Sequence, residues 1–507
     1  MFDLALPIPA MLMKPRIYPT HPLLKSRVHA LSIHGPRRRY VQPSKPNSAT
    51  LAVPSLPETP QHAPATSIPA AHEPPLACLP LKNVVRTYLI TRVSSSPALW
   101  ALFYWGLQLL ATPKTALLDP DKNRALNWVL KKTFYSQFCA GENAAEVTRT
   151  TKSVKGVGYH GIILEYALEV LLDGIEHGPV PGADSPETKR EIEEWRRGML
   201  QTVQMAGPGE FAALKWSGLG RHALHLLKQN QPPTPLMDAA IREVCDAAAA
   251  KNLALLPGAE EEITNAGIDA WTLALERHYN RHETGQTIMY NTYQAYLKST
   301  PAKLAQHVAD AQKHGYILGV KLVRGAYLSS EPKSQVCSSK AETDSVYNSL
   351  AESLLRRQYG HVLRPAPGSD GASFPQIALV LATHNAESVR LAQEIRNRQV
   401  AAAEPRIALA YAQLMGMADE IGCGLVQAGK VAAAEQEARG VFGPLWRKVD
   451  IPKAYKCLCW GTAGECLQFL LRRAAENKDA VARTATTRKA MAGEIKRRVR
   501  VALRLAS

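Results

Sequence analysis

The strongest constraint on the fold is a repeated alternation of short apolar segments and helical patterns between about residue 155 and residue 460. Segments with the apolar spacing of helices, such as 189–205, 237–251 and 386–400, separate the apolar segments. Strands that alternate with helices pair in parallel, and eight such units suit a closed α/β barrel of the (βα)8, TIM-like type better than an open sheet. The predicted strands are 157–166, 211–217, 252–256, 287–296, 317–327, 377–384, 407–414 and 454–460.

Both ends of the chain differ in charge from this central part. The first 50 residues hold eight Lys and Arg side chains and one acid, and residues 483–507 again hold eight basic side chains and one acid. The formal net charge of the chain is +17, which leaves a balance of only +3 for everything between. A nucleic-acid-binding protein usually carries its basic surface on the folded body, so this distribution argues against nucleic acid as a partner.

These differences predict five parts of the chain. Residues 1–45 have the basic, acid-poor composition of a mitochondrial presequence, with an uncleaved basic arm as the alternative. Ten prolines between residues 43 and 80 predict a disordered Pro-rich linker over 46–82, because such a segment buries too little apolar surface to fold. An N-terminal helical region over 83–153 and the barrel over 154–482 follow. The last part, 483–507, is predicted to be a basic amphipathic helix that either closes the fold or rests on an anionic membrane.

Three local patterns limit the class of protein further. The apolar stretch 97–111 is shorter than the ~20 residues of a membrane-spanning helix, so it is predicted to pack on the body or lie at a membrane interface. Eight cysteines in 507 residues, with no C-x-x-C pair, indicate a reducing compartment rather than a disulfide scaffold or a zinc ribbon. His278 and His282 lack a carboxylate-rich partner pattern, so we expect them on a solvated helix face and predict no metal site.

Polar residues at the ends of several predicted strands indicate where the site lies, because a (βα)8 barrel gathers its chemistry at the carboxyl ends of its strands. The run Lys321-Leu-Val-Arg324-Gly-Ala-Tyr327 places two cations and a tyrosine there, followed by small residues that permit close approach. This favours a bound anion or an electron-rich cofactor over surface salt bridging. The other polar residues at strand ends are Lys215, Gln294, Thr383, His384 and Asn385.

Two further motifs each allow two interpretations. Gly218-Leu-Gly220-Arg-His-Ala223 is superficially like a dinucleotide-binding fingerprint, but a Pro-rich loop interrupts the unit, so a simple turn is predicted. Arg472 and Arg473 follow the last predicted strand on a helix that also carries Glu476. They form either an exposed charge ladder or a pair of guanidinium forks that clamps one carboxylate.

The ordered set of motifs resembles the proline dehydrogenase family, specifically its fungal mitochondrial form. The resemblance implies a distorted (βα)8 barrel preceded by helices, with FAD at the carboxyl face. It also implies oxidation of L-proline to Δ1-pyrroline-5-carboxylate, ubiquinone as electron acceptor, and a place on the matrix side of the mitochondrial inner membrane, with peripheral membrane contact. The matching segments, in the order of the family, are 134–143, 290–298, 321–327, 382–385, 413–419 and 472–477.

The resemblance also implies roles for individual residues. Arg472 and Arg473 would hold the proline carboxylate with Glu476 orienting them and Lys215 nearby, while Tyr327 and Leu414 would wall the substrate ring. Fixed donors and cations beside the flavin would stabilise the negative charge that two-electron reduction brings. The residues expected to contact or closely support FAD are Gln294, Lys321, Arg324, Gly325, Ala326, Thr383, His384 and Asn385.

Three positions depart from the family pattern. Gly258 stands where the third strand usually ends in Asp-Ala-Glu, which removes a carboxylate, although Glu260 or Glu261 could compensate. Cys457 stands where a tyrosine normally contacts the proline ring, and Lys321 stands where bacterial relatives often have arginine. Two alternatives follow: a dehydrogenase of hydroxyproline or another cyclic imino acid, and a divergent non-catalytic paralogue with a binding or regulatory role.

Overall fold

The computed structural model describes residues 74–168, 179–328, 330–369, 371, 373–442, 449–478 and 481–503. The side chains of 97, 438–442, 468, 472–478 and 481–484 are outside this description. All described residues belong to one compact unit, Ala71–Ser507. The predicted presequence, 1–45, and residues 46–73 of the predicted linker lie outside the described residues.

Eight parallel strands form the centre of the fold. They are β1 (Gly161–Tyr166), β2 (Phe211–Leu214), β3 (Ala254–Pro257), β4 (Asn291–Gln294), β5 (Leu318–Val323), β6 (Ile377–Ala382), β7 (Ala408–Leu414) and β8 (Ala454–Trp460). They pair in the order β3-β2-β1-β8-β7-β6-β5-β4. The Leu255 N–H donates to the Ile288 carbonyl at 2.6 Å and the Tyr290 N–H donates to the Leu255 carbonyl at 3.1 Å, which brings β3 beside β4. The predicted (βα)8 barrel is therefore confirmed.

Helices precede the barrel and follow every strand. Those before β1 are α1 (Leu81–Ser94), α2 (Pro97–Ala111), α3 (Arg124–Leu130), α4 (Ser136–Phe138) and α5 (Ala144–Val157). The later helices are α6 (Pro186–Met205), α7 (Arg221–Lys228), α8 (Pro235–Ala250), α9 (Glu262–Tyr279), α10 (Thr300–His314), α11 (Lys340–Arg356), α12 (Ala386–Ala401), α13 (Asp419–Phe442), α14 (Ala463–Lys478) and α15 (Val481–Ala502).

Each predicted strand coincides with an observed one, but several predicted bounds are too wide. The prediction for the first strand, 157–166, includes the end of α5, which stops because Gly158 adopts φ 117°. The predictions 287–296 and 317–327 likewise exceed β4 and β5. Apolar residues in turns extend the apolar pattern beyond the residues that make ladder hydrogen bonds, so composition alone overestimates strand length.

The predicted linker also extends too far, because residues 74–82 belong to the folded unit. Pro75–Cys78 forms a 3-10 helix, and Leu76 and Leu79 are buried. Arg498 of α15 reinforces this contact, since its Nη2 donates to the carbonyls of Leu76 at 3.0 Å and Leu79 at 2.8 Å. The linker was predicted from its proline content alone. That criterion took no account of Leu76 and Leu79, whose burial anchors the end of the segment.

The helix expected from the apolar stretch 97–111 and the basic helix expected near the C-terminus are α2 and α15, and both pack on the body. In α2, Trp100 and Leu107 are buried against Leu467 of α14, whereas Leu102 and Trp105 are 65% and 60% exposed. In α15, Met491 is fully buried while Val499 is 51% exposed, so the first half of this helix closes the fold. Among the described residues, no helix combines the length and apolarity that crossing a bilayer requires.

The interior of the barrel is filled unevenly along its axis. The rings of Phe211, Tyr290 and Tyr455 pack edge to face at the amino-terminal end, with ring centroids 5.0 and 5.8 Å apart. Farther along the strands the inward side chains are small, including Ala213, Ala382 and Ala412. Alternate residues of a barrel strand point inward, so this change from large to small residues leaves space toward the carboxyl end.

Glu276 of α9 gives a prediction about stability. Its side chain is fully buried, Oε2 accepts from the Gly319 N–H at 3.3 Å, and Oε1 has no hydrogen-bond partner among the described groups. Burial raises the pKa of Glu276 well above its ordinary value, and Asp310 and Asp269 act in the same direction. The folded state therefore retains a proton that the unfolded state releases above about pH 4.5.

Stability should consequently fall as the pH rises through the interval between the unfolded and folded pKa values of Glu276. Glu276→Gln removes this dependence, so between pH 5 and pH 8 the stability of the variant relative to the parent should rise by about 1.4 kcal/mol for each unit by which the pKa of Glu276 is raised within that interval. Urea unfolding at pH 5, 6.5 and 8 measures the difference. A difference that stays constant with pH would show that Glu276 does not carry the proton.

Candidate active site

The strand ends bring a set of polar side chains to the carboxyl-terminal mouth of the barrel. Lys321 is in register with Thr292 of β4 and Val380 of β6, and Val380 belongs to the inner core, so Lys321 points inward. The same alternation places Leu414 of β7 beside Cys457 of β8. The inward-facing set at this end consists of Glu165, Lys215, Gln294, Lys321, His384, Leu414 and Cys457. Five of the predicted site residues, Lys215, Gln294, Lys321, His384 and Leu414, therefore face the same barrel mouth.

Lys215 and Tyr327, which are far apart in the sequence, are in direct contact. The Lys215 Nζ donates to the Tyr327 Oη at 2.9 Å and to the Ala259 carbonyl at 3.0 Å. The ammonium also lies 5.4 Å from the centroid of the Tyr327 ring. These contacts hold the Tyr327 ring against the loop after β3. The ring is therefore a fixed surface at the barrel mouth, with the Lys215 ammonium at its edge.

The small residues after β5 permit a close packing contact. Gly325 adopts φ 133°, and a Cβ at this position would collide with the Tyr296 ring. A larger residue would therefore displace either the ring or the loop. Gly325 and Ala326 thus set the path of the chain from Arg324 to Tyr327, which is a structural role in addition to the cofactor contact expected from the sequence.

Arg324 is the centre of a polar network behind the mouth. Its Nε donates to Asp344 at 2.7 Å, its Nη1 to the Thr383 Oγ1 at 2.5 Å, and its Nη2 to the Ser388 Oγ at 2.8 Å. Burial opposes ionisation of Asp344, but hydrogen bonds from Lys340 and Arg324 outweigh it and lower the pKa of this carboxyl. The guanidinium, stacked 4.3 Å from the Tyr347 ring, positions Thr383 at the end of β6.

The residues after β6 are oriented by hydrogen bonds to neighbouring backbone. The Leu414 N–H donates to the His384 Nε2 at 3.1 Å, which assigns the proton of a neutral imidazole to Nδ1. Asn385 caps α12 by accepting from the N–H groups of Glu387 and Ser388. Gln294 is similarly fixed, since its Nε2 donates to the Glu260 carbonyl at 2.9 Å. These polar groups are therefore held in place by the protein itself.

A cavity of about 330 Å³ lies beside the residues that follow β6. Thr383, His384 and Asn385 line one side of it, and residues of the N-terminal helical region line the other. The second group was missed as site residues in the sequence, although the segment 134–143 that contains three of them matched the family. The N-terminal lining residues are Thr87, Ile90, Thr91, Ser94, Trp100, Phe134, Gln137 and Phe138.

Gly258 lies against the catalytic candidate Lys215. A Cβ at position 258 would be 3.0 Å from the Lys215 Nζ, so an aspartate here would place its carboxylate next to the ammonium. A carboxylate is retained nearby at Glu260, whose Oε1 accepts from the Ser217 N–H at 3.2 Å. The departure from the family pattern therefore changes the immediate electrostatic partner of Lys215.

Cys457 has an acidic neighbour at the mouth. Its Sγ donates to the Glu165 Oε2 at 3.7 Å, and both side chains are partly exposed. A tyrosine at this position would extend much farther than the thiol. Cys457 was noted in the sequence but Glu165 was missed, although Glu165 carries the signal that a polar side chain at the end of an apolar strand provides.

The proposed arginine pair lies on a helix of the expected kind. α14 begins at Ala463, directly after β8, and its backbone includes Arg472, Arg473 and Glu476. The side chains of these three residues lie outside the described residues. Their expected roles therefore remain predictions.

The structure resolves two simpler motifs. Gly218 lies in the short 3-10 helix Trp216–Leu219, and Gly220 joins that helix to α7, so the predicted simple turn is confirmed. α9 ends at Tyr279, so His282 lies beyond the helix that carries His278, and the expectation of one shared helix face is wrong. No cluster of potential metal ligands occurs within the described ranges.

Comparison with known proteins identifies the family. The family model for proline dehydrogenase matches residues 174–486, which is more than half of the chain. A probable mitochondrial proline dehydrogenase of Schizosaccharomyces pombe is 29% identical, covering 72% of this chain and 80% of that protein. The mitochondrial proline dehydrogenase 1 of Arabidopsis thaliana is 25% identical, with coverages of 83% and 84%.

Two further likenesses complete the comparison. A hydroxyproline dehydrogenase of Mus musculus is 25% identical over 78% of this chain and 87% of that protein. The solved structure of proline utilization A from Bdellovibrio bacteriovorus, inactivated by N-propargylglycine, superposes with a TM-score of 0.54 at 15% identity. This match covers 78% of the present chain and 41% of that longer protein, and at this identity it supports the fold alone. The chain belongs to the proline dehydrogenase family.

Proposed function

We propose that the chain is an FAD-dependent dehydrogenase that oxidises L-proline to Δ1-pyrroline-5-carboxylate and passes the electrons to ubiquinone. The observation that carries this proposal is the cluster of Lys215, Lys321, Gln294 and His384 at one barrel mouth in a member of this family. The cluster combines cations and neutral donors held by the protein, which suits an electron-rich ring and an anionic substrate.

The donor set of the mouth fits FAD. Gln294, Lys321, Thr383 and His384 are the residues that would hold it, with Arg324 fixing Thr383 and the loop Gly325–Ala326 from behind. When bound, FAD supplies the acceptor for the two electrons and the hydrogen leaving the carbon next to the proline nitrogen. Lys321 supplies a positive charge that favours the electron-loaded form, and its inward placement partly shields that charge from water.

The substrate side is assigned to the residues nearest Lys215. Tyr327, held by the Lys215 ammonium, and Leu414 would form walls against the imino acid ring. Arg472 and Arg473 would grip its carboxylate bidentately, with Glu476 orienting them. This arrangement contributes orientation rather than proton transfer, because it fixes which ring carbon faces the cofactor.

For the cellular site we propose the matrix side of the mitochondrial inner membrane. The basic, acid-poor N-terminus and the mitochondrial names of the relatives support the compartment. The exposed side chains of Leu102, Trp105 and Trp128 on α2 and α3 support peripheral contact with the bilayer from which ubiquinone is drawn.

The test of this function uses the purified full-length chain and a soluble ubiquinone analogue. We expect a yellow protein that releases FAD on denaturation and a product two hydrogens lighter than L-proline by mass spectrometry. Quinone reduction should depend on L-proline, with D-proline as the matched control. A flavin-free protein, or quinone reduction independent of proline, would reject the proposal.

The contact between Cys457 and Glu165 favours a second candidate, the oxidation of hydroxyproline. A small residue at 457 leaves room beside the ring, and the carboxylate of Glu165 is an acceptor for a ring hydroxyl. In Cys457→Tyr, kcat/KM for hydroxyproline relative to proline should fall about 10-fold or more, whereas Cys457→Ser should preserve the ratio. An unchanged ratio in Cys457→Tyr would remove this position as a determinant.

The glycine beside Lys215 supports the remaining alternative, a non-catalytic paralogue. On that account the double variant Gly258→Asp/Cys457→Tyr gains proline oxidation that the parent chain lacks. On our proposal the parent chain is already active. Steady-state assays of both proteins under identical conditions separate the two accounts.

A further inference from the structure

The cavity beside the residues that follow β6 has two sides of different chemistry. Thr383 and His384, which are proposed to hold the flavin, line one side together with Arg324. The opposite side comes from the N-terminal helical region and, within the described ranges, carries no charged side chain. It is formed by Thr87, Ile90, Thr91, Ser94, Trp100, Phe134, Gln137 and Phe138. The cavity therefore joins the proposed cofactor side of the mouth to an uncharged surface with three aromatic rings.

The aromatic side chains of this surface are held against one another. The Phe134 and Phe138 rings pack edge to face with centroids 4.9 Å apart, and the Phe103 ring packs edge to face on Phe134 at 4.8 Å. Trp100 is buried on the same side of the cavity. Rings fixed in this way offer stacking and edge contacts to a neutral planar ring, which needs no counter-charge.

A carboxyl and a hydroxyl form a hydrogen-bonded pair at the cavity. Glu420 of α13 and Thr487 of α15 both line it, and the Thr487 Oγ1 lies 2.9 Å from the Glu420 Oε1. The other oxygen, Oε2, is buried without a hydrogen-bond partner among the described groups. Burial and the negative charge of Asp419 raise the pKa of Glu420, against the opposing effects of its hydrogen bonds and of Lys456. These surroundings favour a neutral carboxyl whose proton can pass to the Thr487 hydroxyl.

We propose that this cavity is the site at which ubiquinone is reduced, with its ring on the aromatic side and one carbonyl oxygen at Thr487. The inference rests on the proposed function, which supplies ubiquinone as the acceptor, and it adds the place and the proton source of that step. The quinone takes two electrons and one proton from the reduced flavin. Thr487 donates its hydroxyl proton to the quinone carbonyl and takes up the proton of Glu420, so both C=O groups become C–OH. The Glu420 carboxylate then regains a proton from solvent.

Helix α2 connects this site with an exposed apolar surface. Trp100 lines the cavity, whereas Leu99, Leu102 and Trp105 of the same helix are exposed. A quinone ring beside Trp100 would therefore leave its isoprenoid tail next to these side chains. The proposed bilayer contact places the same surface at the membrane from which ubiquinone is drawn.

The first experiment measures how fast the anaerobically reduced enzyme is reoxidised, by stopped-flow absorbance of the flavin. The two acceptors are a soluble ubiquinone analogue, which takes up protons, and ferricenium ion, which takes up one electron and no proton. Glu420→Gln and Thr487→Val should each slow reoxidation by the quinone about 10²-fold, the usual effect of losing a positioned proton donor. Reoxidation by ferricenium should not change. Thr487→Ser retains the hydroxyl and should restore most of the quinone rate.

Glu331→Gln is the matched control for the carboxyl variant. Burial also raises the pKa of Glu331, but this residue does not line the cavity. Its substitution should leave reoxidation by both acceptors unchanged. Dithionite can replace L-proline as the reductant, so the quinone step is measured separately from proline oxidation. A chain that proline does not reduce would reject the proposed substrate and still allow this test.

A second experiment locates the quinone ring without turnover. An azido-substituted benzoquinone is photolysed on the full-length protein, and the labelled peptides are identified by mass spectrometry. We expect label on peptides that contain Trp100 and residues 134–138, and an excess of the soluble ubiquinone analogue should prevent it. Because the label is read with or without bound flavin, a flavin-free protein would reject the proposed function and leave this test of the cavity intact.

Three results would overturn the proposal. One is label found only on peptides outside the cavity lining. Another is reoxidation by the quinone at the parent rate in Glu420→Gln. The third is an equal slowing of this variant with quinone and ferricenium, because a loss that does not depend on proton uptake indicates a structural effect.

Discussion

Replacing Arg473 by methionine is expected to lower kcat/KM for L-proline by about 10²- to 10³-fold, mainly through a higher KM. Removal of one member of a buried, hydrogen-bonded charge pair costs about 2–5 kcal/mol, and methionine keeps much of the side-chain volume without the fork. The structural basis of this expectation is that Arg473 belongs to α14, the helix that follows β8. Steady-state kinetics with L-proline measure the loss.

The control for this variant is Arg196→Met on α6. Arg196 pairs only with exposed or half-exposed acids, Glu193 and Glu243, among the described residues, and such surface pairs contribute little. Its substitution should leave KM within about twofold of the parent value. If Arg473→Met retains the parent KM, the guanidinium does not hold the substrate carboxylate.

The second large effect is expected at Lys321. Lys321→Met should slow flavin reduction by about 10²-fold, the usual loss when one preorganised donor to a developing negative charge is removed. The affinity for L-proline should change little, because Lys321 lies on the proposed cofactor side of the mouth. Stopped-flow absorbance under anaerobic conditions separates the limiting reduction rate from substrate binding.

Lys321→Arg is the matched variant for this prediction. Arginine keeps the positive charge at the same inward position on β5, so most of the reduction rate should return. Equal losses in the methionine and arginine variants would indicate that the shape of lysine, rather than its charge, determines the effect. A methionine variant with the parent rate would place the cation outside the electron-transfer site.

The sequence predicted the barrel because its signal is local and repeated eight times. Each β/α unit carries its own apolar pattern, so errors at strand ends, as in 157–166, did not disturb the count. The end of the linker was harder to predict from the sequence. Leu76 and Leu79 are buried only because α13 and α15 pack against this segment, and nothing in the local sequence indicates that packing. The residues Lys215, Lys321 and His384 were predictable because polar groups at the ends of apolar strands are conspicuous.

Other parts of the site depend on contacts between distant segments. The Arg324 network joins β5, α11 and the start of α12, and no spacing in the sequence relates Asp344 to Ser388. The aromatic side chains that line the cavity, Trp100, Phe134 and Phe138, come from the N-terminal helical region. The expectation that site residues lie at the ends of barrel strands could therefore not predict them.

The most direct test of the account is anaerobic reduction of the bound flavin by L-proline compared with pyrrolidine, which has the ring but no carboxylate. The account predicts that L-proline bleaches the flavin absorbance completely, whereas pyrrolidine at the same concentration leaves it almost unchanged. A flavin spectrum that L-proline does not alter, or that both compounds bleach equally well, would contradict it.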